Sequence, residues 1–301
     1  METNILLESG TNELELLEFI VNGNHYGINV AKISELIPYQ TPTPVPNSNE
    51  CIEGIFMPRD FIISVINLAK CLGFPDSEHP ESDMYIITNF NRLHTAFHVE
   101  KVLGIHRIFW SDISKPDSTI SAAGNASATG IVRINDELII ILDFEKIVSE
   151  INPETGVKLS DIEKLGPRER YEKPILIAED SPLLSKMICN CLDKAGYTNV
   201  IPTDNGQEAW DTLNKFLEEG NLDSKVSCLI TDIEMPKMDG HRLTKLVKES
   251  KDFEHIPVVI FSSLVSPEMK KKGEALGADA QLSKPEIGML VEEIDKLILK
   301  K

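Results

Sequence analysis

No apolar run in this 301-residue chain approaches the roughly 18 residues of a membrane-spanning helix. The opening stretch METNILLESGTNELE also lacks the basic start and apolar core of a signal peptide. Both absences point to a cytosolic protein with no direct membrane insertion. Cysteine is scarce: five residues, odd in number and without a CxxC pair, fit reduced thiols better than a disulfide framework or a zinc site. Cys189 and Cys191 read as packing residues. Positive charge is short as well, with 30 Lys and Arg against 48 Asp and Glu for a net charge of −18, and acids outnumber bases on both sides of residue 171. Binding to phosphate backbones needs a cationic surface that releases counterions, so nucleic acid is not an expected partner. The run Lys270, Lys271, Lys272 reads as the wet face of a helix.

What is present suits a soluble globular chain of about two domains, at 42% hydrophobic and 26% charged residues. Organisation changes near residue 151. Upstream, short β-branched runs alternate with Gly, Pro and Asn turns. LLEFIVNGNHYGINV reads as a hairpin through Asn22-Gly23-Asn24, and MYIITNF, LHTAFHVEKVL, ATGIVRI and ELIIILDF read as further strands. TPTPVPNSNE, residues 41–50, reads as an exposed loop because its prolines lack amide donors. AKISELI and INLAKCLG are expected to be short helices. The polar stretch INPETGVKLSDIEKLGPRERYEKP marks a linker or a peripheral helix, placed at residues 152–171. This first domain, residues 1–151, is therefore expected to be mostly β.

From Pro174 the period alternates between strand and helix, five times over, which predicts a parallel sheet covered by helices on both faces across residues 172–301. Four of its strands end on polar groups. PILIAED ends on Glu179 and Asp180, SCLITD on Asp232, IPVVIFSS reaches Ser262, and ADAQLSK ends on Lys284. Parallel strands deliver all of these to one edge of the sheet. Taken singly, each has a structural reading: Asp180 or Ser262 as a helix cap, Lys284 as a surface charge beside a turn proline, Asp232 as a turn opener. Taken together their roles are complementary. Three clustered carboxylates repel one another unless a hard cation joins them, and hydrated, octahedral Mg²⁺ suits that donor set. Asp232 then reads as a nucleophile toward phosphorus, with Lys284 and the Ser262 hydroxyl neutralising and hydrogen-bonding the phosphoryl oxygens.

On those residues, together with DIEMPKMDG and the Lys284-Pro285 pair, residues 172–301 resemble the receiver domain of two-component response regulators. The resemblance implies a doubly wound five-stranded fold with strand order 2-1-3-4-5. It also implies phosphate uptake from a histidine kinase and a metal set of Glu179, Asp180, Asp232 and the backbone carbonyl of Glu234. Gln281 stands where many receivers carry a switch aromatic, and it reads as an exposed passenger. Residues 12 to 150 resemble the CheW-like coupling domain of bacterial chemotaxis, through EFIVNGNHYGINVAKISELI, IEGIFMPRDFIISVINL and ATGIVRINDELIIILDFEKIV. That resemblance implies two intertwined small β-barrels that bind chemoreceptor tips and the kinase CheA, hence a place at receptor arrays. The candidate partner-binding residues it implies are Ile33, Glu35, Gly54 and Arg59. The expected function is a phosphorylation-regulated scaffold and not a metabolic enzyme. The alternative is a Mg²⁺-dependent aspartyl-phosphate enzyme of the haloacid-dehalogenase type. That type wants an Asp two positions after the nucleophile on the first strand, whereas here Glu234 follows the third. A transcription factor lacks its helix-turn-helix beyond the receiver.

Overall fold

The computed structural model describes residues 10–59, 61–90, 93–115, 127–153, 159–264 and 266–299. The chain divides into two compact units, one built on residues 14–108 and 112–155, the other mainly on residues 156–301.

Among the described residues the first unit holds ten strands: β1 Glu13–Val21, β2 Asn24–Asn29, β3 Ile33–Pro38, β4 Ile52–Phe56, β5 Ile63–Asn67, β6 Met84–Phe90, β7 Leu93–Val99, β8 Lys101–Phe109, β9 Ala128–Ile134 and β10 Glu137–Leu142. It also holds, among the described residues, the short helices α1, Leu68–Cys71, and α2, Phe144–Ile151. Five strands form a sheet in the order β8-β1-β2-β10-β9 and five more the order β3-β6-β7-β5-β4. Each sheet curls on itself through one isolated antiparallel bridge. Ser114, just after β8, pairs with Ile131 of β9, and Thr43, beyond β3, pairs with Ile55 of β4. The second barrel is thus inserted between the strands of the first, and the two share a core in which Phe19, Tyr26 and Phe144 pack with Ile66, Ile86 and Phe97. Asn22 and Gly23 close the β1–β2 hairpin with φ of 49° and 70°, the left-handed pair that a two-residue type I′ turn requires.

One expected helix is a strand. AKISELI forms a 3₁₀ turn, Val30–Lys32, and then β3, which pairs antiparallel with β6. Its apolar residues fit two periods at once. Ile33, Leu36 and Ile37 match helical spacing, but Ile33, Glu35 and Ile37 alternate with exposed neighbours along β3, and an available β6 edge decides for the strand.

The second unit begins, among described residues, with α3, Leu159–Glu163. The alternation then runs β11 Ile175–Ala178, α4 Pro182–Lys194, β12 Val200–Thr203, α5 Gly206–Glu218, a short α6 Leu222–Lys225, β13 Cys228–Thr231, α7 Gly240–Glu249, β14 Val258–Ser262, α8 Pro267–Ala275, β15 Ala280–Ser283 and α9 Ile287–Ile298. All five strands are parallel in the order β12-β11-β13-β14-β15, as expected. The sheet is buried on both sides: Ile175, Ile177, Ile230 and Phe261 enter one core while Leu176, Ala178, Leu229 and Val258 enter the other. Pro202 is accommodated because β12 lies at the sheet edge.

Within the 152–171 stretch, Asn152 caps α2 of the first unit, while residues 161–171 pack on this second one. Ile162 is buried in its core with Leu165 and Tyr171 alongside. Arg168 makes paired hydrogen bonds to Asp295 at 2.6 and 2.8 Å, and Tyr171 pairs with Tyr197 in a parallel bridge. Residues 154–158 lie outside the described residues.

Candidate functional site

Strands β11, β13 and β15 each run out one residue before a charged side chain, and backbone hydrogen bonds fix where each of those residues stands. The Asp232 amide donates to the Ala178 carbonyl at 2.9 Å, the Glu179 amide to Thr203 at 3.1 Å, and the Lys284 amide to Ser262 at 3.2 Å. Sheet hydrogen bonding is thereby prolonged to the residues that carry the chemistry. Below Asp232 the turn closes tightly: a Cβ at Gly240 would lie 1.8 Å from the Asp232 carbonyl oxygen, so no other residue fits there without moving the backbone.

The side chains converge as their strand positions predict. One carboxylate oxygen from each of Glu179, Asp180 and Asp232 lies within 4.8 Å of the other two. Asp232 is only 5% exposed and Glu179 is equally enclosed. Lys284, also buried, reaches Asp232 Oδ2 with Nζ at 2.7 Å and Glu179 Oε2 at 3.2 Å. The other Asp232 oxygen accepts the Ile233 amide at 2.6 Å. Three carboxylates facing one ammonium leave an excess of negative charge in a water-poor recess, an arrangement that favours a hard divalent cation with oxygen ligands. Ser262 is buried at the neighbouring strand end, where its Oγ accepts the Leu264 amide at 3.3 Å. Glu234 is half-buried in the turn after Asp232.

Gln281 is not the exposed side chain expected. Its amide oxygen lies where a Cβ on Gly273 of α8 would come within 2.3 Å, and both amide atoms are buried without a hydrogen-bond partner. Reading strand ends alone also misses the start of α7. Asp239 caps that helix by accepting the Arg242 amide at 2.6 Å, and burial pushes its carboxyl up to about 6 against the pull of backbone hydrogen bonds. Burial, with the Lys272 charge adding to it, pushes His241 down to about 4, and its Nε2 has no partner. The Asp-Gly pair in DIEMPKMDG is the available signal for both the cap and the tight turn.

In the first unit, the candidate partner-binding residues separate into two kinds. Arg59 donates to Glu35 at 3.0 Å, with the two side chains 70% and 38% exposed. Met57 and Ile62 stand open on the same β4–β5 hairpin. Ile33 packs against the shared core. Gly54 is buried, and a Cβ there would come within 2.5 Å of the Thr43 carbonyl, so close backbone approach accounts for it and it presents no side chain to a partner.

Comparison with known proteins now bears on both units. Residues 15–152 match the CheW-like domain and residues 175–295 the response regulator receiver domain. Chemotaxis protein CheV3 of Helicobacter pylori is 34% identical over 300 residues, covering 95% of each chain. The chain belongs to the CheV family of chemotaxis proteins. CheV2 of the same organism is 30% identical over 295 residues, 91% of this chain and 90% of that one. Chemotaxis protein CheW of Thermotoga maritima is 32% identical over 151 residues, half of this chain and 98% of its own. Membership of the CheV family makes the chain a signalling protein of chemotaxis, a coupling domain joined to a receiver, and disfavours the haloacid-dehalogenase alternative. Among the described residues no helix is long and apolar enough to cross a membrane.

Proposed function

We propose that the chain couples chemoreceptors to the histidine kinase CheA through its CheW-like unit, and that phosphorylation of Asp232 in its receiver regulates the coupling. The observation that carries the reading is the Lys284 ammonium held 2.7 Å from Asp232 inside a buried acidic cluster, in a chain of the CheV family. In transfer from a phosphohistidine, Asp232 Oδ2 supplies the electron pair to phosphorus while the phosphorus–nitrogen bond breaks and its pair returns to the imidazole. Lys284 exchanges its carboxylate partner for a phosphoryl oxygen, and Ser262 turns its hydroxyl to donate to another. Held by Glu179, Asp180, Asp232 and the Glu234 backbone carbonyl, Mg²⁺ would offset the carboxylate repulsion and draw charge from the phosphoryl oxygens. Self-hydrolysis of the acyl phosphate then resets the receiver.

The new contacts of Lys284 and Ser262 exist only in the phosphorylated state, so they shift the balance between two receiver conformations. Arg59, Glu35 and the apolar residues around them are the surface on which that shift would be read, and receptor arrays the place. The test mixes the full chain with radiolabelled phospho-CheA and Mg²⁺ and compares pull-down of CheA and receptor tips before and after transfer. Wild type takes up label and changes its pull-down; Asp232→Asn, nearly isosteric, folds but takes up none. Stable label on the Asp232→Asn chain removes the assignment.

A further inference from the structure

His98, on β7, has a carboxylate at each ring nitrogen. Nδ1 lies 2.8 Å from Glu53 Oε2 and Nε2 lies 3.0 Å from Asp83 Oδ2; the ring and Asp83 are buried, while Glu53 is 19% exposed. A neutral imidazole has a single N–H and can answer only one of two carboxylates, so a ring that answers both carries two protons and a positive charge. The strand geometry accounts for the placement of Glu53. Pairing of β4 with β5 slips between Ile52 and Gly54, and Glu53 is the extra residue of that bulge. From there its side chain spans β5, which separates β4 from β7. Asp83, directly before β6, is held by its carbonyl, which accepts the Tyr39 amide at 2.9 Å. Tyr39 and Tyr85 wall the imidazole, with ring centroids 5.0 and 5.5 Å away. A cavity lined by Asn67, Ser77 and Glu100 adjoins His98 and Asp83.

We propose that Glu53, His98 and Asp83 form a proton-operated latch on the second barrel: the protonated ring holds β4 in place, and loss of that proton frees Glu53 and loosens the seam where β4 closes the barrel. The seam is close by. Ile55, two residues after Glu53, donates its amide to the Thr43 carbonyl at 2.9 Å and accepts the Thr43 amide at 2.8 Å. When the ring loses a proton, one bare nitrogen faces a carboxylate across a hydrogen-bond distance, and Glu53, the more exposed of the two acids, is the one that can turn out to water. Burial works against the charged ring, but hydrogen bonds and charge from Glu53 and then Asp83 outweigh it and raise His98 above its ordinary value. The contribution of the latch is therefore fully present below the unfolded value of about 6.5 and is lost as pH rises through the folded one. Tyr39 and Tyr85, raised by burial and by the Glu53 charge, keep their protons over that range. Glu100 faces the cavity from just after β7, its carboxylate engaged by the Asn22 and Gly23 amides.

The hairpin that β4 opens carries Met57, Arg59 and Ile62 in the open, so the latch sits beneath the surface assigned to partners. An effect on docking rests on the proposed function, whereas the titration and the loosening of the seam do not. The experiment therefore reads only the proton and the seam. The full chain, labelled with nitrogen-15 in its seven histidines, is followed by imidazole nitrogen shifts from about pH 6 to about pH 8.5, with His98→Gln identifying the His98 signals. Hydrogen exchange over the same range, corrected for intrinsic rates, reads the Thr43 and Ile55 amides. Both His98 nitrogens should be protonated at about pH 6.5, and through the deprotonation above it seam protection should fall by up to about tenfold per pH unit, while the amides of β11 show no such step. Glu53→Gln removes one carboxylate, so His98 should give up its proton at lower pH than in wild type and the step at the seam should shrink with it. A bare His98 nitrogen in wild type at about pH 6.5, or the same seam profile in wild type and Glu53→Gln, would overturn the proposal.

Discussion

Lys284 holds two of the three clustered carboxylates by direct contact, which makes it a competitor of any cation that enters. Removing one partner of a buried ion pair costs on the order of 3–5 kcal/mol because the other charge stays behind uncompensated. Lys284→Ala should therefore lower receiver stability in chelator and recover much of it in Mg²⁺, with a larger Mg²⁺-induced rise in unfolding midpoint than wild type shows. The variant should still accept label from phospho-CheA, since the acids remain, while losing much of the conformational response. Equal Mg²⁺-induced rises in the two proteins would show that Lys284 does not balance this cluster. Gln281 poses the opposite problem, a polar group among neighbours that do not answer it. An unsatisfied buried polar group costs roughly 1–3 kcal/mol, so Gln281→Met, similar in length and apolar, should stabilise the receiver by about 1–2 kcal/mol in urea unfolding. A loss of stability would mean that the amide has a partner it needs. Why one residue is legible in the sequence and the other is not is a matter of neighbours. Asp232 and Lys284 announce themselves by ending apolar strands, whereas the surroundings of Gln281 depend on Gly273, which faces it from α8.

At the scale of the element, the start of α7 places two titrating groups under opposite constraints. Burial raises Asp239 to about 6, above an ordinary carboxylate, so the folded state holds its proton more tightly than the unfolded chain does; that contribution favours folding at low pH and fades as pH rises through about 6. His241 is depressed to about 4, so its contribution is fully present above the unfolded value near 6.5 and is lost as pH falls toward 4. Arg242 and Lys272 are the cations that act on the pair, the first on Asp239 and the second on both. The two effects nearly cancel in wild type between pH 6.5 and 4. His241→Gln removes one of them, and at about 1.4 kcal/mol per unit the variant should gain about 3 kcal/mol on wild type across that interval. Hydrogen exchange of the α7 amides at the two ends of the interval measures it, and parallel pH profiles in both proteins would show that His241 titrates freely. Elements of this kind are only half visible in the sequence. The parallel alternation of the receiver and the Asn22-Gly23 hairpin arise from local chemistry, and both stand where that chemistry predicts. The AKISELI segment fits helix and strand periods equally, and only the β6 edge, some fifty residues further on, resolves it.

At the scale of the whole chain, the stretch that reads as a linker or a peripheral helix packs on the receiver's helices over residues 161–171. Its polar, proline-containing composition argues for solvent, and its apolar residues, Ile162, Leu165 and Tyr171, are too sparse to signal a face. Their packing partners lie far along the sequence, on α4, Tyr197 and α9, which no local pattern reveals. The fastening is Arg168: besides its two bonds to Asp295, Nε donates to the Ala195 carbonyl at 2.7 Å, and Tyr197 donates its hydroxyl to the same Asp295 at 2.6 Å. Asp295 lies on α9, so the chain leaving the receiver is fastened to that helix by charge as well as by the burial of Ile162. Hydrogen bonds to charged groups contribute about 1.5–3 kcal/mol each, but these side chains are partly open to water, and solvent screening brings the expected loss in Arg168→Ala to about 1–3 kcal/mol in all. If opening of the segment is fast relative to cleavage, each 1.4 kcal/mol multiplies the open population tenfold. Low-dose protease should then cut within residues 159–171 of the Arg168→Ala chain roughly 5 to 100 times faster than in wild type, while cleavage inside the β11–β15 sheet stays negligible. Arg168→Lys keeps the charge but not the planar fork, so it should fall between the two. Equal cleavage of all three chains in this segment would mean that Ile162 and Tyr171 hold it unaided, and that the ion pair at α9 contributes nothing to how the receiver keeps hold of its own connection.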